Sequence, residues 1–172
     1  MNNIYLIGFM GAGKSAVARK LQHFLPFQIV EMDEAIERIE GMTIPEIFEK
    51  KGEQGFRTAE TQLLSIISKE KNQIISCGGG IVLNPENVEI MKSTGTIVRL
   101  DASPEIIYKR ISGNNRRPLA AGKSLDEIKE MISAREEYYK NAADITVKSD
   151  ENSIENVASD IVKELALNGR LN

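Results

Sequence analysis

A glycine-rich segment near the start of the chain has the residue types and the spacing needed to hold a chain of phosphates. Gly8, Gly13, Lys14 and Ser15 fill every fixed position of the pattern G-x-x-x-x-G-K-[S/T]. Glycines let a backbone turn so tightly that several N–H groups point at one phosphate. In such a loop the lysine reaches the β- and γ-phosphates of a nucleotide, and the serine hydroxyl binds Mg²⁺. The alternative, a chance glycine-rich turn, does not explain the buried strand predicted before the loop and the amphipathic helix predicted after it.

Two carboxylates follow at the end of the next predicted strand, which covers residues 27–32. Glu31 and Asp33 are two positions apart, and alternate residues of a strand point to the same face, so both are expected to face the phosphate site. One could support the metal shell, and the other could accept a proton from an attacking hydroxyl or orient it. The alternative is a solvated acidic turn before a helix.

A run of three glycines follows the third predicted strand, at residues 73–76. Gly78, Gly79 and Gly80 suggest that the backbone approaches a ligand or another chain segment closely, although a flexible connection is the alternative. For the neighbouring Cys77 we expect a buried packing role.

Arginines are well suited to bidentate recognition of carboxylates and phosphates, although any single arginine is more often a surface charge. The candidates are Arg57, Arg110, Arg116, Arg117 and Arg135.

The elements that must position these residues alternate between strand and helix. Strands are predicted near residues 4–7, 27–32, 73–76, 96–100 and 145–148, with helices between them. This alternation is typical of an α/β fold, in which helices cover both faces of a parallel sheet. The chain shows no linker, so we expect one domain over residues 1–172, and the long irregular segment at about 112–123 is a candidate lid.

Composition narrows the classes of function. The chain of 172 residues has a net charge of −3, which gives no global basic field for nucleic acid or a membrane surface. No apolar run approaches the roughly 20 residues of a membrane-spanning helix, and the first residues do not look like a signal peptide. The single histidine, His23, excludes multi-histidine metal sites, and the single cysteine excludes an internal disulfide. We therefore expect a cytoplasmic protein, with a monomer as the default.

Taken in order, these motifs resemble the shikimate kinase family across essentially the whole chain. The resemblance rests on the phosphate loop together with the following features: Asp33, GExxFR at Gly52 to Arg57, the Gly78 to Gly80 run, RRPL at Arg116 to Leu119, and Arg135-Glu136. It implies a P-loop kinase fold of three layers, with five parallel strands in the order 2-3-1-4-5. It also implies transfer of the ATP γ-phosphoryl to the 3-hydroxyl of shikimate, with Mg²⁺ as cofactor.

The resemblance also implies roles for individual residues. Asp33 would hold the ring hydroxyls and act as the base, and the shikimate-binding part of the chain would cover about 33–61. Arg117 would swing from the lid onto the transferring phosphate, so the catalytic residues would be Asp33, Lys14 and Arg117. The ATP-binding residues would be Gly11, Ala12, Gly13, Lys14, Ser15, Ala16, Arg110 and Arg117. The shikimate-binding residues would be Asp33, Arg57, Gly78, Gly79, Gly80 and Arg135.

The chain departs from the family pattern at one site position. The family usually has Asp-x-Asp where this chain has Glu31-Met32-Asp33, so Glu31 would support the metal through a bound water while Ser15 binds the metal directly. Two other functions stay open at this point. One is another small-acid or sugar kinase of the P-loop group, such as a gluconate kinase, and the other is a nucleotide-binding module without kinase activity.

Overall fold

The computed structural model describes residues 2–112, 122–150 and 152–171, and its strands form one parallel sheet. The strands are β1 (Asn3–Ile7), β2 (Gln28–Glu31), β3 (Gln73–Ser76), β4 (Gly95–Asp101) and β5 (Ile145–Lys148). They lie in the order β2-β3-β1-β4-β5, and each neighbouring pair is parallel. The α/β fold class and the strand order implied by the family resemblance are both confirmed.

Helices flank the sheet. They are α1 (Lys14–Leu21), α2 (Met32–Glu40), α3 (Ile44–Ile67), α4 (Pro85–Thr94), α5 (Pro104–Ile111), α6 (Leu125–Ala142) and α7 (Ile154–Leu167), with a short 3₁₀ turn at Ile81–Leu83. Every residue of β1 and β3 is buried. Because successive side chains of a strand point to opposite faces, continuous burial means that both faces are covered. This produces the three-layer arrangement.

The helices that carry the candidate arginines begin at residues that the sequence identifies. Thr43 and Glu46 form a reciprocal capping box at the start of α3, and Ser124 and Glu127 form one at the start of α6. Within α3, Gly52 adopts a left-handed φ of 70° and breaks the helical path, as glycine often does at the end of a helix. Arg57 lies in the second part of α3, five residues after this break.

Two elements differ from the sequence-based expectation. Apolar residues at helical spacing between Val17 and Leu25 predict a first helix that reaches Leu25, but this helix ends at Leu21. Pro26 disfavours helical backbone in the residue before it, and residues 22–24 form turns instead. The 3₁₀ turn after the glycine run has no predicted counterpart, since three residues are too few to show a periodicity. Within the described ranges, no helix is both long enough and apolar enough to cross a bilayer.

Candidate active site

The loop between β1 and α1 has a backbone conformation that glycine adopts most readily. Gly11 and Gly13 have φ values of 82° and 97°, both in the left-handed region. The carbonyl of buried Ala12 accepts a hydrogen bond from the Ser149 hydroxyl at 2.9 Å, which ties the loop to the end of β5. Gly13 precedes α1 and has no side chain to cap the first N–H groups of that helix. Such groups bind phosphate at helix N-termini.

Two cations from different elements border this loop. Lys14 donates from Nζ to the carbonyl oxygens of Gly8 at 2.7 Å and Phe9 at 3.1 Å. Arg110, on α5, donates from Nη1 to the carbonyl oxygen of Gly11 at 2.9 Å. Positive charge is therefore concentrated locally, as the negative net charge of the chain requires if the ligand is anionic. Ala16 lies half-buried in the first turn of α1, next to these groups.

Ser15 and Glu31 form a hydrogen-bonded pair of oxygen-bearing side chains at the edge of the loop. The Ser15 hydroxyl donates to Glu31 Oε2 at 2.8 Å and lies 3.4 Å from the hydroxyl of Ser76. The second carboxylate oxygen of Glu31 is buried and has no hydrogen-bond partner among the described residues. A buried carboxylate oxygen of this kind fits a role toward a cation or its water.

The small number of protein oxygens in this pair suits Mg²⁺. That ion keeps several waters and takes only one or two protein groups plus substrate phosphates. In the part of the chain that the structure describes, no cluster of three or more histidine, cysteine, aspartate or glutamate residues could hold a metal by itself.

Asp33 lies on a different element from the one that the sequence predicted. Strand β2 ends at Glu31 and α2 begins at Met32, so Asp33 is in the first turn of a helix and not on a strand. The strand-alternation argument therefore does not apply to Glu31 and Asp33, because only Glu31 lies on a strand. The first turn of a helix is a favourable place for a carboxylate because the helix dipole is positive there.

The glycine run after β3 lets two side chains of the predicted acceptor site approach its backbone. A methyl group added at Gly80 would lie 2.3 Å from Nη2 of Arg57. One added at Gly78 would lie 3.2 Å from Oδ1 of Asp33. The absence of side chains at these positions therefore leaves room for a guanidinium and a carboxylate beside the backbone.

The middle glycine links this region to the phosphate loop. A methyl group at Gly79 would lie 3.2 Å from the backbone nitrogen of Met10 and 3.8 Å from Nη1 of Arg135. The Arg135 guanidinium lies over the ring of Phe9, with Cζ 5.5 Å from the ring centroid. Its Nη1 is buried and has no hydrogen-bond partner in the described ranges, so it can donate to a ligand.

Glu60 belongs to the same cluster, although the sequence interpretation did not include it. Its side chain is fully buried, and Oε1 accepts a hydrogen bond from Arg57 Nη1 at 2.9 Å. Its second oxygen would lie 2.6 Å from a methyl group added at Gly78. Burial raises the pKa of Glu60, and the nearby Asp33 carboxylate raises it further, while the Arg57 guanidinium lowers it. Glu60 therefore fixes Arg57 from inside the protein.

A signal for Glu60 was present in the sequence. Phe56, Glu60, Leu63 and Ile67 follow the spacing of one helical face, so Glu60 is a charged residue within an apolar stripe. A charge in that position needs a buried partner, and Arg57 is one helical turn away. Cys77, in contrast, is buried as expected, and burial raises the pKa of its thiol well above the ordinary value.

The remaining predicted residue of the site lies outside the described residues. Arg117 is in the range 113–121, as is most of the predicted lid at 112–123. Its role therefore stays a prediction. The described candidates form two adjacent groups, one around the phosphate loop and one around the glycine run, which meet at Met10, Phe9 and Gly79.

Comparisons with known proteins point to one family. The family model described as shikimate kinase matches residues 10–166. A shikimate kinase from Caldanaerobacter subterraneus is 40% identical over 172 residues, which cover 99% of this chain and 100% of that protein. One from Thermodesulfovibrio yellowstonii is 41% identical over 165 residues, with 95% of each chain covered.

Solved structures show the same relationship. Shikimate kinase from Acinetobacter baumannii in complex with shikimate has a TM-score of 0.93 and 34% identity, covering 100% of this chain and 96% of that one. A gluconokinase from Sinorhizobium meliloti has a TM-score of 0.59 at 12% identity, covering 96% of this chain and 92% of that one. That second likeness shows the fold alone.

A parallel sheet in the order 2-3-1-4-5, with a glycine-rich loop and its lysine at the end of β1, defines a P-loop kinase. Within that class, the extent of the match to the family model and to curated relatives is decisive. The chain belongs to the shikimate kinase family, and its activity is that of an ATP-dependent kinase acting on shikimate.

Proposed function

We propose that the two groups of residues divide the reaction between them, the phosphate loop holding ATP and the glycine-run cluster holding shikimate. The observation that carries this proposal is the convergence of Asp33, Arg57 and Arg135 on three consecutive glycines directly beside the loop. These side chains come from three different helices. A carboxylate and two arginines provide what a hydroxylated carboxylic acid needs: an acceptor for hydroxyl protons and donors for a carboxylate.

In this scheme the 3-hydroxyl oxygen of shikimate attacks the γ-phosphorus of ATP. A new O–P bond forms, the bond from phosphorus to the ADP oxygen breaks, and Asp33 accepts the hydroxyl proton. Arg57 and Arg135 hold the ring by its carboxylate, so that the hydroxyl is in line with the phosphorus. Much of the rate enhancement comes from this alignment, because little covalent chemistry is left for the protein to do.

On the nucleotide side, Lys14 neutralises the β- and γ-phosphate oxygens, and backbone N–H groups of Gly11 to Ala16 hold the phosphates. Arg110 lies at the same loop and is assigned to the nucleotide. Ser15 would hold Mg²⁺ directly and Glu31 would hold it through water, and the ion would supply positive charge to the phosphates. The buried second oxygen of Glu31 supports this assignment.

The part of the chain at 112–123 is proposed to act as a lid that excludes water from the phosphoryl group, with Arg117 contributing charge on closure. Residues 33–61 would carry most of the shikimate contacts within one domain of residues 1–172. A monomeric state and a cytoplasmic location remain predictions from composition and sequence.

The experiment measures ADP release from Mg-ATP with no acceptor, with shikimate, and with gluconate as the control acceptor. We expect release that depends on shikimate, disappears in Asp33→Asn, and does not respond to gluconate. ATP affinity of Asp33→Asn should match that of the unaltered enzyme, since Asp33 belongs to the acceptor side. An Asp33→Asn enzyme with full shikimate-dependent turnover would remove Asp33 as the base. Release that responds equally to gluconate would remove the assignment of the acceptor site.

A further inference from the structure

Arg99 is a charged residue in the interior of the sheet, and the catalytic scheme gives it no task. It lies on β4 with 6% of its side chain exposed. Its guanidinium donates to both carboxylate oxygens of Glu136, at 3.1 and 2.7 Å, and to Asp101 at 3.1 Å. A charge buried this deeply is costly unless it is paired, and an apolar residue could fill the same place without that cost. The pairing therefore calls for a reason beyond packing.

The partners of Arg99 point to α6. Glu136 is on that helix, immediately after Arg135, and Tyr139 is one turn further on. The Arg99 guanidinium also lies over the Tyr139 ring, with Cζ 5.5 Å from the centroid. Arg99 therefore contacts α6 at Glu136 and at Tyr139, which both lie in the helical turn directly after Arg135. The set Arg99, Glu136 and Tyr139 is called the α6 anchor below.

Tyr139 connects the anchor to the glycine run. Its buried hydroxyl donates to the carbonyl oxygen of Gly79 at 2.5 Å. Burial raises the pKa of Tyr139 to about 12, so the hydroxyl keeps its proton and continues to donate through neutral pH. Residues four apart share a helical face, so Tyr139 lies on the same face as Arg135. Both side chains reach the same glycine, which fixes the distance between α6 and the acceptor site.

Arg135 needs such support more than Arg57 does. Arg57 is held by the carboxylates of Glu60 at 2.9 Å and Glu53 at 3.5 Å. No ion pair within residues 2–112, 122–150 and 152–171 involves Arg135, whose observed contacts are with the ring of Phe9 and the hydroxyl of Tyr139. The direction in which Arg135 points therefore depends on where α6 places its backbone and on the position of Tyr139.

We propose that the α6 anchor positions Arg135 for the carboxylate of the acceptor, through the Arg99–Glu136 ion pair on one side and the Tyr139–Gly79 hydrogen bond on the other. Arg99, Glu136 and Tyr139 are positioning residues in this scheme, since none of them is assigned a contact with either substrate. The inference rests on the proposed role of Arg135 in binding the acceptor.

The test compares kcat/KM for shikimate, KM for ATP and the melting temperature in four variants. Glu136→Gln keeps the shape of the side chain but removes its charge, and Arg99→Lys keeps a charge but loses the two-pronged geometry. Tyr139→Phe removes only the hydroxyl. The matched control is Glu137→Gln, because Glu137 is adjacent, is 77% exposed and pairs only with Lys140 among the described ion pairs.

We expect Glu136→Gln to lower kcat/KM for shikimate on the order of 10- to 100-fold, since a misplacement of about 1 Å in a binding group has an effect of that size. KM for ATP should stay within about 2-fold, as expected for a site that does not share these contacts. Arg99→Lys and Tyr139→Phe should show smaller losses in kcat/KM for shikimate, again with little change in KM for ATP. Glu137→Gln should behave like the unaltered enzyme.

A second background separates positioning from general support of the fold. In enzyme that already carries Arg135→Met, the substitution Glu136→Gln should cause no further loss in kcat/KM for shikimate, because its effect passes through Arg135. An equal loss in both backgrounds would overturn the proposal, as would a loss shared equally by both substrates. Unchanged kinetics in Glu136→Gln, Arg99→Lys and Tyr139→Phe would overturn it too.

The outcome also distinguishes this inference from the proposed function. If the unaltered enzyme and Glu137→Gln both release ADP in response to shikimate while Glu136→Gln does so equally well, the function stands and the anchor fails. If the unaltered enzyme shows no response to shikimate, the function itself fails. If Glu136→Gln does not fold, Tyr139→Phe and Arg99→Lys are milder changes that allow the same comparison of kcat/KM for shikimate with the unaltered enzyme.

Discussion

A substitution at Gly80 would displace the side chain of Arg57 without changing the Arg57 residue itself. The backbone at Gly80 has φ −99°, which any L-residue adopts, so alanine there causes no backbone strain. Its methyl group, however, would lie between 2.3 and 2.5 Å from three atoms of the Arg57 guanidinium. Ordinary contact begins near 3.4 Å, so the guanidinium must move by about 1 Å. The guanidinium lies at the end of a long side chain, so it can make that adjustment by lengthening its hydrogen bond to Glu60.

The displacement should weaken shikimate binding more than it weakens the fold. A shift of about 1 Å in a substrate-positioning group corresponds to a loss of up to about 100-fold in kcat/KM, or roughly 2.7 kcal/mol. We expect the free energy of unfolding to fall by only about 1 kcal/mol, which is an ordinary effect for a single substitution. Steady-state ADP release at varied shikimate and at varied ATP measures the first quantity, and urea unfolding measures the second.

The control is the same substitution in enzyme that lacks the Arg57 side chain. In an Arg57→Ala background the methyl group at position 80 has no guanidinium to displace, so Gly80→Ala should have little further effect. Arg57→Ala itself should weaken shikimate binding and leave ATP affinity unchanged. A Gly80→Ala enzyme that binds shikimate normally would refute the assignment of Arg57 to the acceptor site. A change in ATP affinity would refute it as well.

Other consequences can be tested with the same assay. Lys14→Ala should lose most turnover, because the transition state then lacks a cation at the phosphates. Lys20→Ala is the control, because Lys20 lies near the other end of the same helix and pairs with Glu155. Equal turnover in the two variants would exclude Lys14 from catalysis. Arg117→Ala should be slower by about 10³-fold or more, by analogy with arginine fingers. Near-normal turnover there, or an equal loss in Arg116→Ala, would remove Arg117 from the mechanism. Burial raises the pKa of Glu60 above its usual 4.5, so the native state binds more protons than the unfolded chain as the pH rises above that value. The free energy of unfolding should therefore fall as the pH rises from 4.5 toward the raised pKa of Glu60. Glu60→Gln has no carboxyl group to titrate, so it should lack this fall when urea unfolding is measured at several pH values. Identical pH dependence in the two proteins would contradict the raised pKa.

Much of the fold could be predicted from local signals in the sequence. The alternation of strands with amphipathic helices indicated a parallel sheet, and the capping boxes at Thr43 and Ser124 marked the starts of the two helices that carry Arg57 and Arg135. The order of the strands could not be predicted from local signals, because no local pattern shows which strands are neighbours. That order came from the family resemblance, and the sheet confirms it.

The candidate site was less accessible to sequence reasoning, because its residues meet only after folding. The sequence pattern places Asp33 at the end of the second strand, but β2 stops at Glu31 and the chain turns directly into α2. The residues that support the arginines were missed for a related reason. Glu60 can be recognised in the sequence as a charged residue on an apolar helix face. Arg99 and Glu136 are 37 positions apart, and no local pattern around either residue indicates that they pair.

The glycine run explains why a fully buried carboxylate is tolerated at Glu60. Gly78 leaves the space that the Glu60 carboxylate occupies, and Gly80 leaves the space for the Arg57 guanidinium that pairs with it. The pair compensates part of the cost of burying each charge, and it holds Arg57 in one orientation before the substrate arrives. Since ordering a long arginine side chain on binding costs free energy, an arginine that is already ordered binds a carboxylate more tightly. The small residues at 78–80 and the buried charge at 60 are therefore two parts of one arrangement, and neither is explained by packing alone.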